Sequence, residues 1–142
     1  MDDASRATWV FLMCEKSEAS RFIQSFIVMA FTQFGKKVKV VRSDNGSEFT
    51  SNPMQVFYQV HGIFCQNSYV DTPQQNGRLE RKQRHVLNVA RALLFEANLP
   101  KKFWGESVLA ATHLINRTPS KLLSSKTPYE ILHNKAPVYD HL

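Results

Sequence analysis

The sequence predicts an α/β fold, a small sheet covered by helices, in one domain spanning residues 1–142. Three observations carry that expectation. Short runs rich in β-branched and aromatic residues fall at 8–13, 38–42 and 63–66. The stretches between them show helical apolar spacing, and from residue 77 onward helical spacing is all that remains. At 142 residues and 43% hydrophobic composition, the chain has the size and apolar content of a single core.

In chain order, residues 8–13 (TWVFLM) read as a largely buried strand ending at polar Glu15 and Lys16. Ser17 is placed to cap a helix whose apolar positions Ala19, Phe22, Ile23, Phe26, Ile27, Ala30 and Phe34 share one face until Gly35 stops it. Residues 38–42 form a second strand that runs into the turn cluster Ser43-Asp44-Asn45-Gly46-Ser47, so Asp44 sits just past a strand's C-terminal end. Asn52-Pro53 opens a short helix to about His61, and 63–66 is a third strand. The polar stretch 67–76 reads as a mobile loop. A helix over 77–97 carries the stripe Leu79, Val86, Leu87, Ala90, Leu93, Leu94 and Ala97, with Glu80 in its first turn, where the helix dipole favours a carboxylate. Pro100 opens a helix over 101–117 with Trp104, Val108, Ala111 and Ile115 buried, and a short last helix covers 127–133.

Lys and Arg exceed Asp and Glu by 18 to 12, giving +6 and a pI near 9.5, a balance that favours a polyanionic partner. The positive charge gathers at Arg78, Arg81, Lys82, Arg84 and Arg91 against Glu80 alone, although a solvated helix face would look the same. Cys14 and Cys65 have neither zinc-ligand nor disulfide-framework spacing, which points to a reducing intracellular compartment. An acidic start and interrupted apolar stretches suggest neither a signal peptide nor a membrane span.

Asp44 at a strand end and Glu80 near a helix start are the acids best placed to converge as oxygen ligands for a hard divalent cation. Spacing alone does not separate them from an accidental pair, since Asp-Asn-Gly by itself makes a tight turn. Their surroundings are more specific. Val41-Arg42-Ser43-Asp44-Asn45-Gly46-Ser47-Glu48-Phe49 and Thr72-Pro73-Gln74-Gln75-Asn76-Gly77-Arg78-Leu79-Glu80-Arg81-Lys82 resemble the second and third acidic motifs of integrases from copia-type (Pseudoviridae) LTR retrotransposons, plant ones especially. The stretch Asp2-Asp3-Ala4-Ser5-Arg6-Ala7-Thr8-Trp9-Val10 is similar to an upstream segment of the same family. Leu114-Ile115-Asn116-Arg117-Thr118-Pro119 and Lys126-Thr127-Pro128-Tyr129-Glu130 resemble signatures of a C-terminal region covering about 99–142.

The resemblance implies a ribonuclease H-like mixed sheet flanked by helices, and a DDE-type site in which two Asp and one Glu hold two Mg²⁺ or Mn²⁺ ions for phosphoryl transfer. It assigns the second and third carboxylates to Asp44 and Glu80 and a DNA-shaping loop to 69–76, with Tyr69, Gln74 and Asn76 as contacts. Arg78, Arg81, Lys82 and Arg84 become phosphate contacts that contribute affinity more than sequence reading. The implied function is nucleic-acid binding and DNA integration by a piece of a Pol polyprotein, through 3′ end processing and strand transfer. Element cDNA ends and target DNA are the implied partners, with homodimerisation and a nuclear location expected by family, or otherwise a cytoplasmic one.

One departure matters. In the family the first catalytic Asp precedes the segment matched by Asp2 to Val10, so that carboxylate and its central strand are expected to be missing and the piece inactive as it stands. Asp2 and Asp3 are expected to be structural or exposed, and His61, His85, His113, His133 and His141 show no zinc-ligand spacing. The alternatives are a non-catalytic DNA-binding or interaction module and a decayed gene fragment.

Overall fold

The computed structural model describes residues 1–43, 46–67 and 73–139, apart from the side chains of 67 and 73–76. The described elements are α1 (Ala19–Phe34), β1 (Val40–Ser43), α2 (Ser47–Thr50), α3 (Asn52–His61), β2 (Phe64–Asn67), α4 (Pro73–Glu96), α5 (Trp104–Arg117) and α6 (Pro128–His133). They fall into two compact units, one of Phe11–Gly77 and one of Met1–Val10 with Arg78–Leu142. Among the described residues, no helix is long and apolar enough to cross a membrane.

In the Phe11–Gly77 unit, β1 and β2 pair in parallel, with Val40 opposite Phe64 and Ser43 opposite Asn67. Parallel strands need a crossover, and α2 and α3 supply it. The buried residues are Ile27 from α1, Met54 and Tyr58 from α3, and Ile63, with Ile23, Phe26, Val38, Val41, Phe57 and Cys65 packed around them. α1 ends as its sequence predicts: Gly35 takes φ 61° and its N–H returns to the Phe31 carbonyl. Its start differs. A 3₁₀ turn at Lys16–Glu18 precedes it, capped by a Glu15–Glu18 box in which the Glu18 carboxylate accepts from the Cys14 and Glu15 N–H groups. The Ser17 hydroxyl donates to Glu15 instead of capping the helix.

The other unit is helical. Val86 and Ala90 of α4 meet Val108, Ala111 and Ile115 of α5, with Val10, Leu87, Val89 and Leu93 at the margins. Ala90 and Ala111 are 0% exposed, so each lies where a larger side chain would have to displace a neighbour. Trp104, expected in this core, is 37% exposed. α6 begins with a capping box: Thr127 Oγ1 accepts from the Glu130 N–H at 3.0 Å, and the Glu130 carboxylate accepts from the Thr127 N–H at 2.6 Å.

Two expectations are corrected. Residues 8–13 form no strand, because among the described residues no strand pairs with them. Asn116 of α5 meets the segment instead: its Oδ1 accepts from the Thr8 N–H at 3.0 Å and its Nδ2 donates to the Thr8 carbonyl at 2.8 Å. A primary amide carries the same donor and acceptor as a peptide group, so Asn116 substitutes for a neighbouring strand at one residue. The second correction concerns α4, which begins at Pro73 within the expected loop 67–76. Proline suits the first helical position because its missing N–H would have no partner there. Glu80 therefore lies about two turns inside the helix, beyond the end effect assumed for it.

Candidate functional site

Of the two carboxylates singled out by the sequence, Glu80 belongs to α4, and the surroundings of the two are described to different extents. Asp44 and Tyr69 lie outside the described residues, as do the side chains of Gln74 and Asn76. The chain is described on its approach to Asp44, up to Ser43, and again from Gly46.

The approach is β1. Two residues before Asp44, the Arg42 guanidinium donates from Nε (3.3 Å) and Nη2 (3.1 Å) to Oε1 of Gln66, its register partner on β2. This side-chain bridge adds to the ladder at the C-terminal ends of the strands, the edge at which parallel α/β sheets place their ligands. The exit is Gly46, the residue before α2. The Glu48 carboxylate folds back over it, so that a Cβ on Gly46 would lie 2.8 Å from Glu48 Oε1. Glu48 also pairs with Lys16 at 3.2 Å. Its own backbone N–H first, and then Lys16, hold its pKa below the usual carboxylate range. Glu48 is thus engaged at the start of α2, against Gly46 and Lys16. Gln66 carries no local sequence signal, and Glu48 lies in the motif-like stretch without one for this contact. Only the parallel register brings Gln66 opposite Arg42, and Gln66 lies outside the motif-like stretches.

Glu80 stands on the exposed surface of α4. Among the described residues it has no ion pair or hydrogen bond, although Arg78, Arg81 and Arg84 are exposed on the same helix and Arg84 is one turn away. Its two oxygens are therefore open to a cation. Lys82 differs from these arginines: it is partly buried, and burial first, then the charge of Arg6, lowers its pKa. The structure brings Lys82 into electrostatic contact with the turn at the start of the chain.

That turn accounts for Asp2 and Asp3. Asp2 accepts from the Ser5 N–H at 2.7 Å and from Ser5 Oγ at 2.6 Å, and Asp3 pairs with Arg6 at 3.7 Å. Burial alone would raise the Asp2 pKa, but the hydrogen bonds from Ser5 and from the Ala4 backbone outweigh it and hold the carboxyl low. Asp2 thus has a structural role in a turn, and Asp3 is exposed beside Arg6. Among the described residues, no group of three or more His, Cys, Asp or Glu stands together as a metal site. Asp44 is not among those residues.

Comparison with known proteins places these features in a wider context. A family model described as "Integrase core domain" matches residues 1–73. The Pol polyprotein from transposon TNT 1-94 of Nicotiana tabacum is 40% identical over 142 residues, all of this chain and 11% of that protein. The Pol polyprotein from transposon RE1 of Arabidopsis thaliana is 33% identical over the same 142 residues, 10% of its length. The chain thus spans about a tenth of the curated relatives it matches. Among solved structures, the HTLV-2 integrase catalytic core domain in complex with magnesium, in a trimeric form, aligns with a TM-score of 0.61 and 25% identity. The alignment covers 85% of this chain and 74% of that one. The likeness places the helices and the two-stranded parallel sheet in the ribonuclease H-like α/β class.

Proposed function

Because the chain belongs to the integrase core domain family, we propose that it forms part of the catalytic core of a retrotransposon integrase and acts on DNA within a larger Pol polyprotein product. The observation that carries this reading is the match over residues 1–73, extended to all 142 residues by the tobacco relative. In this reading, Asp44 and Glu80 hold Mg²⁺ or Mn²⁺, for which carboxylate oxygens are the fitting donors, and the open carboxylate of Glu80 supports the assignment. Such a cation would stabilise the charge that develops on oxygen during phosphoryl transfer.

The remaining steps belong to the chain's own residues. The Arg42–Gln66 bridge fixes the end of β1 before Asp44, and the Glu48–Lys16 pair fixes the start of α2 after it. The exposed Arg78, Arg81 and Arg84 on α4 neutralise DNA phosphates. The substrates are the element's cDNA ends and the target DNA, the assembly includes a second copy of the chain, and the work is done in the nucleus. A DNA-binding module without chemistry is the second reading, favoured by the exposure of these arginines independently of any carboxylate.

DNA affinity measured against Mn²⁺ concentration separates the two. Asp44→Asn and Glu80→Gln should each abolish the Mn²⁺-dependent part of binding and leave the metal-free part intact. Replacing Arg78, Arg81 and Arg84 together by Ala should instead weaken binding to all sequences alike and reduce the salt slope by about 2 to 3. Undiminished Mn²⁺ dependence in both carboxylate variants would sink the site assignment.

A further inference from the structure

The segment from Arg117 to Tyr139 carries Arg117, Lys121, Lys126 and Lys135 against a single acid, Glu130, whose carboxylate is engaged in the Thr127 capping box. Within it the aromatic rings are arranged against a cation. Tyr129 stacks on His133 with centroids 4.2 Å apart and planes 28° apart, and the Arg117 guanidinium carbon lies 4.7 Å from the Tyr129 centroid. The group is tied to α5: Arg117 Nη1 lies 3.1 Å from His113 Nδ1, and the Tyr139 hydroxyl donates to the Arg117 carbonyl at 2.9 Å. The His133 and Tyr139 side chains are nonetheless exposed, as are Lys126 and Lys135. Burial first, then the charges of Lys135 and Arg117, lower the His133 pKa, so its ring is neutral at neutral pH.

Exposed flat rings held in place among cations are what unpaired bases bind: the rings stack on base faces while the cations meet the backbone. A duplex offers only the second kind of contact, because its base faces are already stacked. We propose that His133, Tyr139, Lys126 and Lys135, supported by Tyr129 and Arg117, form a binding surface for single-stranded nucleic acid, separate from the basic face of α4. It goes beyond the catalytic reading and does not depend on Asp44 or Glu80.

The test is fluorescence anisotropy of the 142-residue chain with a labelled oligothymidylate of about 12 nucleotides, an abasic strand of equal charge and a duplex. The oligothymidylate should bind more tightly than the abasic strand. His133→Ala should weaken oligothymidylate binding about tenfold and leave the abasic strand and the duplex unaffected. His133→Phe, which keeps a ring, should restore the affinity. Equal affinity for oligothymidylate and abasic strand, or failure of His133→Phe to restore the loss, would overturn the proposal.

Discussion

Raising the pH from about 10 to about 12 should remove on the order of 1–2 kcal/mol from the stability of the folded chain through Tyr58 alone. Tyr58 is 2% exposed, and its hydroxyl has no hydrogen-bond partner among the described residues. Burial first, and then the neighbouring Cys65, pushes its pKa up to about 12. The sign follows from which state releases the proton first. The unfolded chain ionises Tyr58 near pH 10 while the folded one keeps its proton, so this contribution is complete below pH 10 and is lost as the pH climbs to about 12. Other groups also titrate there, so the measurement is a difference: urea unfolding of wild type and Tyr58→Phe across the alkaline range. Phe fills the same space without a hydroxyl to desolvate, so the variant should match or exceed wild type by about 1 kcal/mol at neutral pH and lose less on the way to pH 12. Parallel pH profiles for the two proteins would show that Tyr58 is solvated after all.

That the phenol sits in this core was not legible in the sequence. Tyr58 lies in a predicted helix without a clean apolar stripe, and its burial depends in part on Ile27 of α1, which is distant in sequence. The features read correctly were those marked by local residues: Gly35 ending α1, Asn52–His61 as a complete helix, and a short last helix near 127–133. The misreadings share a cause. Residues 8–13 have strand composition, but a strand exists only when another supplies its hydrogen bonds, and composition does not reveal the partner. The polar residues after Pro73 lack the apolar spacing that marks a buried helix, so the first turn of α4 looked like loop.

The same division runs through the candidate site. Glu80 could be named from its motif, and the structure adds that its carboxylate is open. The residues that frame Asp44 come from separate elements: Gln66 from β2, Glu48 from α2, and Lys16 from the turn before α1. Local sequence could not pair them, because the pairing is a property of strand register and of the path of the chain. Asp2 shows the converse. It is an acid in a family-like motif, yet its hydrogen bonds to Ser5 account for it without any metal.

Asn116→Ala should be among the most damaging single changes in the unit formed by Met1–Val10 and Arg78–Leu142, costing on the order of 2–5 kcal/mol. The side chain makes two hydrogen bonds to one peptide unit's worth of backbone, at 3.0 and 2.8 Å, and Thr8 is buried. Truncation removes both and leaves a buried N–H and a carbonyl without partners, each costing about 1–3 kcal/mol. Asn116→Asp separates the amide's two halves. The carboxylate can still accept from the Thr8 N–H, but it has no donor for the Thr8 carbonyl and brings negative charge against it. Asp should therefore rescue little of the loss, whereas a role limited to filling space would make it nearly neutral. Hydrogen exchange at the Thr8 amide gives the local reading, since that proton should exchange much faster in Asn116→Ala even under conditions where the helices α4 and α5 remain formed. Protection at Thr8 equal to wild type in both variants would mean that the segment is held by Val10 and the packing around it, and that the amide's likeness to a strand is incidental.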